Sequence, residues 1–560
     1  MLGERINQSN HHFFLLFILL AIAALTFFSR IFDPDFFWHL ANGRWITANT
    51  QLPDQDPFTG YAFDSVREQA ILKSYWLAQV GYSLFFAIGG FFAIALFKSL
   101  SFLAIFAMIL SCQWQKKTRW EWLLLAFLPL YETLMHFRAD RPNLVSFVGF
   151  ACLLYLLEKR HWKLLPVLML VWANSHGGYL LGIVTIVIYV TFSLVSRQQR
   201  LSAVTGWALL AIAVSFINPL GISLLLEFIK FQNSALQQQT FEFMSPLRLA
   251  AEYRDYYLGY FFALLLSLSA VLVVRRPAVW ASLAVLALTI VISLQSARYM
   301  PFMVIAAAFY VPAFLDKIAL PVFWRRALIG GSVLLMLFLF FFDARDGRGL
   351  TWGLEPERFP EKAAEFLART APGERIFCNY EWGGYLLWAL PWATILNDTR
   401  SLSETIYVDN QSIEKAQSGW ERKLEDLGAT TLVISAFNPI TGRANKLWQS
   451  LFYQESWALV YVDDVALVYQ RASDAVAPVA KSSQDKRRLS LNHAVAQSLR
   501  IVEKYPQTPW HWADLGYIYV LKGEIPAAID AYKKAASLDP ENLSYQDKLK
   551  LLGSRAAGGG

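Results

Sequence analysis

"RIFDPDFFWHLANGRWI" (residues 30–46) stands directly after an apolar run that begins near residue 12. Asp33, Asp35 and His39 are expensive side chains to place beside a bilayer. Read as a helix, the stretch has Asp33 as its N-cap and Pro34 in the first turn, a favoured pairing. At roughly 100° per residue, Asp35, His39 and Asn42 share one narrow polar face, and Phe36, Phe37, Leu40 and Ala41 form the other. That pattern predicts a helix lying in the membrane interface, apolar side down. Capping accounts for Asp33, and the helix dipole accounts for Asp35. Neither accounts for His39 and Asn42 on the same face.

The rest of the chain explains why a bilayer is the right setting. Of 560 residues, 56% are hydrophobic and 17% charged, against about 25% charged in soluble domains. The 20 Trp and 42 Phe suit apolar spans and interfacial belts. Apolar runs at 12–31, 91–113, 119–137, 143–158, 163–176, 178–196, 202–218, 256–274, 279–296, 299–315 and 326–343 predict eleven transmembrane helices. Residues 13–28 are read as an uncleaved first span rather than a signal peptide, because no small-residue cleavage site follows. The three cysteines make no disulfide framework. The net charge of +7 is an orientation signal rather than a sign of nucleic-acid binding. "CQWQKKTRWEW", "LEKRHWK", "SRQQR", "VVRRP" and "DKIALPVFWRR" fall on alternate connections, with Arg5 on the same side. The N-terminus is therefore expected in the cytoplasm and the C-terminal part outside a bacterial inner membrane.

The opposite face collects loop 32–90, "RADRPN" (138–143), "NSHGG" (174–178), the connection 218–255 and "SARYMP" (296–301). These bring Asp33, Asp35, His39, Asp140, Arg138, Arg141, His176, Glu242, Glu252, Arg254 and Arg298 to one side. Polar residues gathered on one face of a membrane bundle mark a site. Arginine forks match phosphate oxygens, and carboxylates serve as a general base or hold a hard divalent ion such as Mg or Mn. His39 and His176 make no metal motif, and no P-loop is present. The Gly pair of "NSHGG" suits either a close backbone approach or a break between short helices.

After the bundle (1–343) the composition changes. Residues 344–474 read as an α/β domain: "PEKAAEFLART" as a helix, "ERIFCNY", "WATILND" and "TTLVISA" as strands, and "WALVYVDDVALVYQR" as a hairpin turning at Asp463-Asp464. Residues 475–489 read as a polar linker and 554–560 as a flexible tail. Between them, Trp512, Leu515, Gly516, Tyr519, Ala528, Tyr532, Ala535 and Pro540 fit one tetratricopeptide unit. A degenerate unit before it makes 490–553 a helical segment suited to a protein partner.

The acidic motif after the first span, the many spans and the outer C-terminal domain resemble the GT-C glycosyltransferases, integral membrane enzymes that use polyprenyl-linked sugar donors. "FDPDFFWHLA" (32–41) is similar to the first-loop motif of oligosaccharyltransferase catalytic subunits. The resemblance implies that Asp33 contributes to a catalytic metal site and that Asp140 is the second acid. It also makes Glu242 and Glu252 candidates for a further one. "NYEWGGYLLWALPWATILND" (379–398) has the layout of their Trp-Trp-Asp-Tyr-Gly segment, but "EWGGY" stands where that string would be. The fold expected is a polytopic α-helical, GT-C-like membrane domain, then a periplasmic α/β domain and a tetratricopeptide segment.

The resulting expectation is transfer of a sugar or oligosaccharide from a polyprenyl phosphate or diphosphate to a protein or glycan acceptor at the outer membrane–water boundary. Asp33 or Asp35 would be the base or metal ligand, with Asp140 assisting, and Arg138, Arg141, Arg254 and Arg298 would hold the donor phosphate. The competing expectation is a non-catalytic scaffold that recruits envelope-assembly partners through 490–553. A transporter fits less well, since carriers place their sites near the midplane.

Overall fold

The computed structural model describes residues 2–59, 66–196, 201–226, 241–253, 257–274, 276–316, 318–345, 347–370, 374–400, 402–438, 441–473 and 477–557. The chain divides into two compact units: residues 1–54 with 64–354, and residues 55–63 with 355–560.

Each apolar run of the first unit carries a helix. They are α1 (Leu2–Phe27), α4 (Trp76–Gln115), α5 (Trp120–His136), α6 (Asn143–Lys159), α7 (Leu165–Ala173), α8 (Tyr179–Val195) and α9 (Leu201–Val214). After α10 (Pro246–Tyr253) come α11 (Leu258–Val273), α12 (Trp280–Gln295), α13 (Met300–Leu315) and α14 (Val322–Arg345). Among the described residues three stretches, Trp76–Gln115, Ala297–Leu315 and Val322–Arg345, are long and apolar enough to cross a membrane. Six described apolar helices are shorter. α13 is buried on every side from Met300 to Pro312, as a helix without a polar stripe must be. It packs against α5, which also meets α11 and α14.

The opening motif forms α2 (Asp35–Asn49), followed by α3 (Val66–Lys73). Asp33 does cap it: Asp33 Oδ1 accepts from the Asp35 N–H at 2.9 Å. The expected interfacial position is corrected, because every residue from Phe36 to Gly43 is buried, polar face included. α2 lies against α4 at a glycine, and a Cβ on Gly43 would fall 2.0 Å from the Gln79 carbonyl oxygen. The polar face is used inside the unit: Asn42 Nδ2 donates to Gln79 Oε1 (2.7 Å) and the Leu72 carbonyl (3.0 Å). α4 breaks at Gly89–Gly90, where Gly90 takes φ +57°, a conformation that glycine adopts without steric cost.

The second unit is built on a five-stranded sheet of order β2-β1-β3-β5-β4. Its strands are β1 (Arg375–Cys378), β2 (Thr394–Ile395), β3 (Thr431–Ile434), β4 (Trp457–Val462) and β5 (Leu467–Arg471). β2, β1 and β3 run parallel, while β5 is antiparallel to both β3 and β4. β3, the central strand, parallel to β1 and antiparallel to β5, is buried at every residue. The β4–β5 hairpin turns where expected, with Asp463 Oδ1 accepting from the Val465 and Ala466 N–H groups. Helix α15 (Glu361–Thr370) precedes β1, α16 (Gly383–Ala389) joins β1 to β2, and α17 (Glu404–Glu414) and α18 (Trp420–Asp426) lie between β2 and β3.

Two boundaries differ from the sequence reading. Residues 55–63, expected in the outer loop 32–90, belong to this unit. The supposed linker 475–489 already enters a helix, α19 (Ser483–Lys504), capped by Ser482. Lys486 on its first turns is buried and donates to the carbonyls of Gln454 and Trp457. Then follow α20 (Pro509–Lys522), α21 (Ile525–Leu538) and α22 (Leu543–Ala557). Gly516 lets α20 and α21 meet closely, since a Cβ there would lie 2.8 Å from the Tyr532 ring.

Candidate functional site

The loop between α5 and α6 supplies the centre of the charged cluster in the first unit. Arg141 Nε donates to Asp33 Oδ2 at 2.5 Å, Arg141 Nη1 lies 3.0 Å from Asp35 Oδ2, and Glu242 Oε2 is 3.9 Å from Nη1. Asp33 is buried, whereas the Arg141 side chain keeps 31% of its surface exposed. A guanidinium carries five N–H donors. Asp33 accepts from the Nε donor, and Asp35 lies beside Nη1.

A second layer fixes the loop from beneath. Asp140 Oδ1 lies 2.8 Å from Lys98 Nζ, both side chains fully buried. Asp140 Oδ2 finds no donor among the described residues. Burial pushes the Asp140 carboxyl up to about 6, against the opposing pull of Lys98. Arg138 forms a bidentate pair with Asp343 at the end of α14, both contacts 2.6 Å. This corrects the expectation that Arg138 meets a donor phosphate, because its fork is already filled and buried.

His39, Tyr75 and His176 form an aromatic layer. Tyr75 stands edge-on to His39 with centroids 5.1 Å apart and is 5.6 Å from His176. Burial, then Arg141 and His176, hold His39 well below the usual imidazole range, and Gln79 meets its Nδ1 at 3.1 Å. His176 is pushed down to about 3 by burial and by the charge of Arg298. Its Nδ1 accepts from the Gly178 N–H (3.0 Å) and lies 2.6 Å from Ser146 Oγ, which in turn accepts from Trp172 Nε1 at 2.8 Å. Burial thus disfavours the protonated form of both imidazoles. Gly178 is needed for close approach, since its Cβ would fall 2.2 Å from Ser146 Oγ. Arg298 stacks on Phe243 at 5.1 Å and acts electrostatically on Tyr75, as do Asp35, Glu242 and Arg141.

The structure therefore brings together Asp33, Asp35, Arg141 and Glu242, sets His39, His176 and Arg298 beside them, and puts Asp140 beneath. Asn42 faces Gln79 instead. The side chain of Glu252 and the whole of Arg254 lie outside the described residues. Lys98 and Asp343 were missed, although a lone charge within or ending an apolar run is a signal in itself. Gln79 and Tyr75 carry no such signal. Of the acids expected to hold a divalent metal, Asp33 pairs with Arg141 and Asp140 with Lys98. Among the described residues no three His, Cys, Asp or Glu side chains gather for an ion.

No protein-family model and no curated protein matches the chain. Solved structures do. ArnT from Cupriavidus metallidurans, in its apo state, is similar over 84% of this chain and 100% of its own, with TM-score 0.52 and 13% identity. The arabinofuranosyltransferase AftD from Mycobacteria is similar over 82% of this chain and 42% of its own, with TM-score 0.51 and 15% identity. Both are GT-C glycosyltransferases. The chain has the GT-C fold. The archaeal oligosaccharyltransferase AglB from Archaeoglobus fulgidus, at TM-score 0.48 and 11% identity over 84% of this chain and 75% of its own, adds no weight. Within the GT-C fold, the Asp33–Arg141 cluster sits on the loop after α1 and the loop between α5 and α6.

Proposed function

We propose that the chain is a membrane glycosyltransferase that moves a sugar from a polyprenyl-phosphate-linked donor to a protein or glycan acceptor. The observation that carries this reading is the half-open cluster of Arg141 with Asp33, Asp35 and Glu242. Asp33 is buried and fixes Arg141 through Nε, so it positions the cation. The remaining Arg141 donors, with Arg298 nearby, suit the donor phosphate. Asp35 is the more exposed acid and suits the acceptor. In the transfer, the bond from the anomeric carbon to the phosphate oxygen breaks and a bond to the acceptor oxygen forms. Asp35 takes the acceptor proton, and the arginines balance the charge left on the departing phosphate. The basic connections support a bacterial inner membrane with this cluster at the periplasmic face. Glycan transfer by purified protein carrying Asp33→Asn or Asp35→Asn tests it. At least about a hundredfold loss is expected for each, and full activity in both would sink the assignment.

A second reading rests on the helices α19–α22, which expose Tyr505 and Trp510. As tetratricopeptide-like hairpins they suit a protein partner. Pull-down with and without 490–553 separates the readings: scaffolding wins if that deletion abolishes function while Asp33→Asn does not.

A further inference from the structure

The bundle of the first unit carries a second charged surface, at the end away from Arg141. α4 passes the Arg141 loop near its start, where the Tyr82 hydroxyl donates to the Arg141 carbonyl at 2.9 Å. α6 starts two residues after Arg141. Both helices run to the other end and finish side by side. There Lys116 Nζ lies 2.7 Å from Glu158 Oε2, and Lys159 Nζ donates to the Ser111 carbonyl at 3.0 Å.

Each helix is closed by a cation in an uncommon conformation. Lys117, just after α4, takes φ +53°, and Arg160, just after α6, takes φ +60°. Glycine is the usual residue there, because a side chain is sterically disfavoured in the left-handed region. The helix dipole favours a cation in the last turn, but it does not require one at that strained position. Lys163 stands three residues after Arg160, and all three cations are exposed. The nearby acids are already engaged: Glu158 with Lys116, and Asp316 with Arg119 at 3.9 Å. Among the described residues, Lys117, Arg160 and Lys163 make no ion pair.

Hydrocarbon surface begins where this charge stops. Leu164, Val167 and Val171 are 52, 61 and 47% exposed, and their spacing places them on one face along α7. Lys163 stands one turn before Val167. Trp114 is exposed at the end of α4, and Trp280 is exposed at the start of α12. α12 reaches the same place, since Ser282 Oγ donates to Glu158 Oε1 at 3.4 Å. Tryptophan rings suit the headgroup level of a bilayer.

Unpaired cations at the head of an exposed apolar stripe decide the ligand class. The partner must be anionic at one end and hydrocarbon at the other. A nucleic acid or an acidic protein segment has nothing to lay along the stripe. A zwitterionic lipid would bring a cation of its own towards Lys117, Arg160 and Lys163. We infer that this end of the bundle binds an anionic phospholipid. Its phosphate meets Lys117, Arg160 and Lys163, and one acyl chain runs along α7 over Leu164, Val167 and Val171.

The test titrates the full chain in detergent with phosphatidylglycerol or phosphatidylcholine and reads the first bound lipid by native mass spectrometry. Phosphatidylglycerol should bind at least about fivefold more tightly. The triple variant Lys117→Asn, Arg160→Asn and Lys163→Gln should lose that preference and keep the natural melting temperature. Asparagine is chosen because it tolerates the left-handed region. Arg325→Gln with Arg326→Gln, which removes two exposed cations at the start of α14, should keep the preference. Equal binding of the two lipids, an unchanged preference in the triple variant, or an equal loss in the α14 variant overturns the inference. So does displacement by inorganic phosphate or by tail-free glycerophosphoglycerol, which would make the surface a site for free phosphate. Lipid binding is read without a transfer step, so its failure leaves the proposed glycosyl transfer standing.

Discussion

Two arginines, one in each unit, are held between aspartates, and they are held differently. Arg400 is sealed: its side chain is 1% exposed, and it donates twice to Asp56 and twice to Asp398, at 2.6 to 3.1 Å. Phe58 lies 5.4 Å from its guanidinium. Arg141 is half open, spends one contact on each of Asp33 and Asp35, and has Glu242 beyond hydrogen-bond reach. A buried cation with four of its five donors spent on two aspartates can only hold structure. One with donors to spare can meet a ligand. Arg138, bidentate on Asp343 and buried, belongs with Arg400.

The largest effect should come from breaking the sealed pair. Arg400→Met leaves Asp56 and Asp398 buried without their cation, which costs about 3–5 kcal/mol. Thermal melting of the purified chain, with proteolysis reporting the second unit, should show that loss. Arg141→Met should cost less than Arg400→Met, because Arg141 and Asp35 are part-exposed and only Asp33 is left buried without its cation. Its penalty should appear instead as a loss of transfer of about a hundredfold or more. If Arg141→Met unfolds the chain and Arg400→Met only slows transfer, the contrast fails.

A smaller effect sharpens the contrast inside the second unit. Glu414 Oε1 accepts from the Tyr380 N–H (2.6 Å) and from Asn397 Nδ2 (2.9 Å). Burial, then the neighbouring Glu381, push its carboxyl from 4.5 up to about 8. The folded state therefore binds more protons than the unfolded state between those values, so stability falls as pH rises through the window. Glu414→Gln keeps both acceptor contacts and carries no titrating proton. Its melting temperature should exceed that of the natural chain at pH 8.5 and show a smaller difference between pH 5 and 8.5. An unchanged pH dependence would remove Glu414 as the cause.

Much of this was legible in the residues. Periodicity and length place a helix at every apolar run, because a bilayer forces apolar composition on whole segments. The β4–β5 hairpin was legible from its Asp-Asp turn. The meeting of Asp33 with Arg141 was legible only as a shared face, since the ion pair spans more than a hundred residues of chain. The burial of α2 was not legible, because an amphipathic pattern looks the same at an interface and against α4. Nor was the capture of 55–63 by the second unit, which depends on Asp56 finding Arg400. Lys98 hid because an apolar run tolerates one cation when its partner, Asp140, lies in another loop.

The last prediction is an absence of effect, and it follows from the same contrast. The first-loop resemblance implies a metal at Asp33 with Asp140. In the structure each acid already has a cation beside it: Arg141 on Asp33, and Lys98 on Asp140. A divalent ion shared by the two acids would compete with both cations, and displacing Lys98 would leave it charged inside the unit, which is costly. In the proposed transfer, Arg141 supplies the positive charge that a metal would otherwise bring to the donor phosphate. Transfer measured in excess EDTA should therefore match transfer with added Mg or Mn. A loss on chelation restored by either ion would mean that Arg141 leaves Asp33 during turnover, and the cluster would then have to be read as a metal site closed by its own arginine.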